Sequence, residues 1–189
     1  MNRLLIRFLS LAALAILPTA AWSQTDPFGK VDTIYAELAK VDSSLWTITI
    51  AYTNDQPVVG LSVPLKYNAG SNRLIADSAI YAGGRVEQFV YRGFRVDTAI
   101  QCLTLGMIAN LGPTHNRLAP GTGRLVTVYV SSVDDKPIAK LTVDTTTTHP
   151  NNSLLVMTDA VIGTAPDTVK VDFNKRAILP AFVVRQAKR

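Results

Sequence analysis

Fourteen carboxylates, two imidazoles and one thiol are the groups in this 189-residue chain that could carry acid–base, metal or nucleophilic chemistry. Glycoside hydrolysis needs two carboxyls flanking the bond. The only glutamates are Glu37 and Glu87, and nothing in one dimension pairs the aspartates. Glu87 sits between Val86 and Gln88, as a solvated strand residue would. His115 and His149 have no second His or Cys at ligand spacing, so zinc is unsupported. Asp134-Asp135 with Asp42 could hold calcium, but adjacent aspartates before Lys136-Pro137 are common turn chemistry. Gly121-Thr122-Gly123 is no phosphate loop, because no helix follows it. No Gly-x-Ser-x-Gly elbow is present. A Ser-His-Asp triad assembles in space, so spacing alone neither supports nor removes one. Asn151-Asn152-Ser153 fits a glycosylation sequon, which matters only in a host that glycosylates. The expectation is therefore a non-enzyme with no catalytic residue, no metal site and no cofactor.

Binding chemistry is better represented. Tyr91 and Tyr129 fall on outward positions of strand-like runs, and an exposed tyrosine ring is a surface on which a sugar face can stack. Arg92 and Arg95 lie beside Tyr91 and could hydrogen-bond a ligand. These four are the candidate ligand-binding residues, although half-buried edge packing accounts equally for the tyrosines.

The elements that must position these residues begin after a leader. Arg3 and Arg7 precede an apolar run from Phe8 to Leu17, and Ala21 and Ser23 follow at the spacing a signal peptidase reads. The run is shorter than the ~20 residues of a membrane span. Residues 1–23 are read as a signal peptide and residues 24–189 as the mature chain, secreted to the extracellular space, the periplasm or the cell surface, with no membrane span. Loss of Arg3 and Arg7 from the 19 basic residues leaves them three ahead of the 14 acidic ones. That surplus is mild and scattered, apart from Arg85, Arg92 and Arg95 and a short basic tail of Arg185, Lys188 and Arg189 read as a solvated end. Nucleic acid is excluded as a partner, since its binders carry dense basic patches. Cys102 is alone, so no internal disulfide forms; its apolar surroundings point to a buried, inert thiol.

The mature chain alternates Val, Thr, Ile and Tyr runs with Gly, Pro, Asn and Asp clusters, which is strand and turn chemistry. Strands are expected over 45–53, 59–67, 85–96, 99–109, 124–133, 138–143, 154–157 and 169–173. Residues 73–81 are either a strand or a helical turn, and 111–123 form a loop. Pro64 cannot donate to a ladder, which predicts an edge strand or a bulge. Residues 99–109 are apolar on both sides and read as a central strand covered on both faces. The count of about nine strands at such spacing predicts a single all-β domain, a two-sheet β-sandwich.

Leu61-Ser62-Val63-Pro64-Leu65-Lys66-Tyr67, then Leu74 to Tyr81, then Gly121-Thr122-Gly123-Arg124-Leu125-Val126-Thr127-Val128-Tyr129-Val130 together resemble the cohesin-like modules of bacterial extracellular proteins. Val31-Asp32-Thr33-Ile34 followed by Leu45 to Thr53 fits the first strands of that family. The resemblance covers roughly Lys30 to Phe173 and implies a jelly-roll-like sandwich. It also implies a binding module: cohesins bind dockerins, and the wider fold group includes carbohydrate-binding modules. The partner implied is thus a protein, dockerin-like or on a surface, or else a polysaccharide; a structural matrix role is a further alternative. No dockerin calcium loop is present, because Asp172-Phe173-Asn174 offers two ligands and nothing after them.

Overall fold

The computed structural model describes residues 26–110, 117–146, 153–158 and 177–187. The leader, His115, His149, Asn151, Asn152, the strand expected over 169–173, Asn174, Lys188 and Arg189 lie outside the described residues. Eleven strands are present among the described residues: β1 (Thr33–Lys40), β2 (Leu45–Asn54), β3 (Val58–Asn68), β4 (Leu74–Ile80), β5 (Tyr91–Asp97), β6 (Cys102–Ile108), β7 (Gly121–Ser132), β8 (Thr142–Thr145), β9 (Leu155–Thr158), β10 (Ala177–Ile178) and β11 (Ala181–Gln186). There is no helix among the described residues.

The strands form two sheets, one in the order β11-β1-β2-β7-β4 and the other β10-β9-β3-β6-β5, with β8 also paired to β3. The first is antiparallel except at its edge, where β11 runs parallel to β1 with Thr33 opposite Ala181. Period-two burial builds the core between them, as expected of half-buried strands. Trp46, Ile48, Ile50 and Tyr52 of β2 and Val126, Val128 and Val130 of β7 face inward from one sheet. Leu61, Val63, Leu65 and Tyr67 of β3 and Leu103, Leu105 and Met107 of β6 face inward from the other. All belong to one continuous apolar cluster. The two-sheet, all-β sandwich is as the sequence predicts, with eleven strands where about nine were expected.

The departures have physical causes. The run 85–96 is not one strand: β5 begins only at Tyr91, and Arg85–Val90 is a chain of turns held by Glu87 N–H to Gly84 O and Phe89 N–H to Val86 O, both 3.0 Å. Its buried residues, Val86 and Phe89, are three apart rather than two. The segment 138–141 repeats this pattern. Ile138 and Leu141 are buried three apart, outside any strand, and Ile138 N–H donates to Ser43 O at 2.7 Å. The expected loop over 111–123 ends early, because β7 starts at Gly121.

β3 is not an edge strand, since β6 flanks it on one side and β9 and β8 on the other; the irregularity it carries is a register shift against β9 between Val58 and Gly60, away from Pro64. Tyr67 N–H donates to Gln101 O, so the odd-numbered residues there turn their backbone polar groups toward β6 and Pro64 turns away. On that far side β9 pairs with β3 only as far as Ser62, and β8 begins at Leu65. Pro64 occupies the gap, where no donor is demanded. β6 is central as expected, but its outer face is covered only at Cys102: Thr104 and Gly106 are half-buried and Ile108 is 36% exposed. Cys102 is a free, buried thiol. Of the tail residues expected to be solvated, Arg185 lies exposed in a strand, and Lys188 and Arg189 are outside the described residues. β11 carries Arg185, whose guanidinium lies 3.7 Å from the Tyr35 ring centre.

Candidate functional site

Four strands of the second sheet lay out an open outer face. Alternation that sends Leu61, Val63, Leu103, Leu105, Phe94 and Val156 inward turns their neighbours out. The cross-strand register then fixes three rows. Met157, Gly60, Ile108 and Tyr91 form one, Leu155, Ser62, Gly106 and Gly93 the next, and Pro64, Thr104 and Arg95 the third. The middle row is bare of side chains at its Gly106 and Gly93 end. Tyr91 fills that space by lying back over it, since a Cβ at Gly93 would sit 2.9 Å from Tyr91 Cε1 and one at Gly106 would sit 3.5 Å from the same atom. An aromatic ring covering strand glycines protects the backbone beneath it. Tyr91 nonetheless remains 54% exposed. The face is therefore shallow, with an aromatic plate, the Ile108 side chain beside it and the Arg95 cation at its margin.

The four residues singled out in sequence do not converge. Tyr91 and Arg95 share this outer face on β5. Arg92 points to the other side of the same strand and is exposed at its end, donating from Nη1 to Glu87 O at 2.6 Å. Tyr129 is on β7, half-buried on the outer face of the other sheet, opposite Thr47 and Ser78.

Arg85, the third member of the basic group, binds the protein itself. Its guanidinium donates to Tyr52 O at 2.9 Å, Gly121 O at 3.0 Å, Asn54 Oδ1 at 2.9 Å and Ala119 O at 2.5 Å. Desolvation by burial lowers its pKa. The aspartates weighed for calcium are engaged elsewhere. Asp42 Oδ1 accepts from Ser44 N–H and Leu45 N–H, both at 2.8 Å, capping the β1–β2 turn. Asp134 pairs with Lys136 at 3.3 Å, and Asp135 takes a left-handed turn conformation at φ 54°. That is the turn role the sequence suggested for this pair.

Solved structures share this architecture. The third ScaC cohesin of Acetivibrio cellulolyticus, in complex with the ScaB dockerin, matches with a TM-score of 0.52 at 11% identity, over 82% of this chain and 94% of that one. The OlpA cohesin of Clostridium thermocellum, in complex with a dockerin, matches with a TM-score of 0.54 at 10% identity, over 84% and 100%. The OlpC cohesin of the same organism, also dockerin-bound, gives 0.53 at 9%, over 84% and 96%. No family model and no curated protein matches the chain. The chain is a two-sheet β-sandwich. More particularly, its fold is that of the cohesin modules, as the resemblance in sequence implied.

Proposed function

We propose that the protein is a secreted, non-catalytic binding module that docks a protein partner, of dockerin type, on the outer face of the β9-β3-β6-β5 sheet. The observation that carries this reading is the row of Leu155, Ser62, Gly106 and Gly93 flanked by exposed Tyr91 and Ile108. The glycines let the Tyr91 ring lie flat over the strands, and an exposed aromatic with an aliphatic neighbour supplies the anchor that concentrates binding energy. The fold's recurrence in cohesins solved with dockerins agrees with this use of the sandwich. The leader-like residues 1–23 would place the domain, residues 24–189, outside the cytoplasm.

The test is binding of the purified protein to a panel of dockerins by calorimetry, repeated with Tyr91→Ala and Gly106→Arg. Gly106 is on the outer face and its backbone has no left-handed φ, so the arginine variant should fold. Affinity falling by about tenfold or more in both variants supports the face. Binding unaffected by either would remove it.

A second reading rests on Tyr91 alone. A tyrosine ring laid on a strand surface is also what a pyranose stacks on, so the same protein should be run through polysaccharide gels. Retardation lost in Tyr91→Ala but kept in Tyr129→Ala would move the assignment to carbohydrate.

A further inference from the structure

The corner where the N-terminal segment meets the β2–β3 turn gathers three acids far apart in sequence. Asp32 immediately precedes β1, Asp26 lies on the segment leading to it, and Asp55 follows β2. One carboxylate oxygen from each lies within 4.8 Å of the other two, and no other group of three potential ligands converges in this way among the described residues. Gly29 permits the approach: at φ +155° it has no side chain, and a Cβ there would collide with the Asp55 carboxylate. Lys30 N–H then donates to Asp55 Oδ2 at 2.6 Å, and Phe28 N–H to Asp26 Oδ1 at 2.8 Å.

These bonds leave a surplus of acceptors. Asp32 is 1% exposed, and its Oδ2 takes the Tyr52 hydroxyl and Gln56 Nε2, the latter at 2.7 Å. Its Oδ1 has no partner. Asp26 Oδ2 is likewise buried without one, as is Oε1 of Gln56, itself 4% exposed. Arg85, the cation that acts on Tyr52 and Asp32 at longer range, has its guanidinium committed to Tyr52 O, Gly121 O, Asn54 Oδ1 and Ala119 O. A buried carboxylate oxygen with no donor is costly, and several facing one another more so.

We infer that Asp26, Asp32 and Asp55 bind a calcium ion, with Gln56 Oε1 as a further oxygen at hand. The donors are all hard oxygens, which disfavours zinc and copper. Carboxylates on three separate backbone segments form an irregular set, which calcium accepts at about 2.3–2.6 Å and magnesium, needing a near-ideal octahedron, does not. Asp55 is exposed and Asp26 only half-buried, so the ion has a path in. Bound there, it would clamp the N-terminal segment to the turn after β2 and fix where the domain begins.

Calorimetric titration of the full chain with calcium chloride, together with melting in calcium and in EDTA, tests this. Terbium gives a spectroscopic reading, because Tyr52, bonded to Asp32, is placed to sensitise its luminescence. The expected result is one calcium per chain, with a Kd of about 0.1–1 mM, the range of extracellular modules, and a higher melting midpoint in calcium. Asp55→Asn and Asp26→Asn should each weaken binding by about tenfold or more. Both should melt as the parent does in EDTA, and terbium luminescence should fall with the affinity. Absence of heat and of any midpoint shift up to ~10 mM calcium, an order of magnitude above that range, would overturn the site. So would calcium binding undiminished in both variants.

Discussion

Single side chains in this sandwich do work that their charge does not advertise. Arg85 reads in sequence as part of a basic group, yet its guanidinium joins the end of β2 to the segment entering β7 through four acceptors. Replacing it with Met keeps the aliphatic stem but strands those acceptors. The expected loss is about 2–3 kcal/mol, read as a lower urea midpoint with the slope unchanged. Tyr67 gives a pH signature. Burial pushes its phenol up to about 12 from the ordinary 10.0. The unfolded chain therefore releases this proton first. The contribution is intact below pH 10 and is lost as pH climbs toward 12, at about 1.4 kcal/mol per unit for one group. Between those limits the stability of Tyr67→Phe should fall less steeply than that of the parent, measured by denaturant titration at each pH.

At the level of strands, alternation made most of the fold legible. β2 buries every second residue as its sequence announces, β7 does so from Val126 onward, and β3 keeps Leu61, Val63, Leu65 and Tyr67 inward while also burying Gly60 and Pro64. It failed where burial has another period. Val86 with Phe89, and Ile138 with Leu141, reach the core from turns three residues apart, a spacing that a period-two reading mistakes for strand. β1 contains Tyr35 and Glu37 on its outer side but was marked only by resemblance, and β11 was hidden by its basic end. A parallel pairing between the first and last strands leaves no local signal, since its partners are some 150 residues apart. The candidate face was legible only in part. Tyr91 and Arg95 could be named from alternation, but the glycines that make Tyr91 lie flat belong to different strands. The acid corner was invisible for the same reason, being made by closure of the fold rather than by spacing.

The same strands give two element-level tests. Ending the chain after Pro180 removes six β1–β11 residue pairs and the contact of Phe182 with the core. A loss of about 2–4 kcal/mol is expected from the hydrogen bonds and buried area. It should come with concentration-dependent association, seen by light scattering, because β1 becomes a bare edge. Gly93→Ala is a milder probe. Its methyl meets only the movable Tyr91 ring, so stability should change by less than about 1 kcal/mol while partner affinity drops with the displaced ring.

Taken whole, the molecule must hold itself outside the cell, if the leader is used, without a covalent staple. Its one thiol, Cys102, is buried and has no second cysteine to meet. About 166 residues remain once residues 1–23 are removed, and a chain of that size buries enough apolar surface to be stable on its core alone. That core is one cluster drawing on both sheets, so neither sheet has an interior that would survive separation from the other. Unfolding should consequently be a single transition in which the calorimetric and van't Hoff enthalpies agree. Reductant should leave its midpoint where it was, because no loop is closed by sulfur in the folded or the unfolded chain. Two resolved transitions would mean that the sheets, or the segments outside the described residues, fold as separate units. A midpoint that falls with reductant would mean that Cys102 reaches a partner thiol on another chain, and that the protein gains its stability as a cross-linked pair.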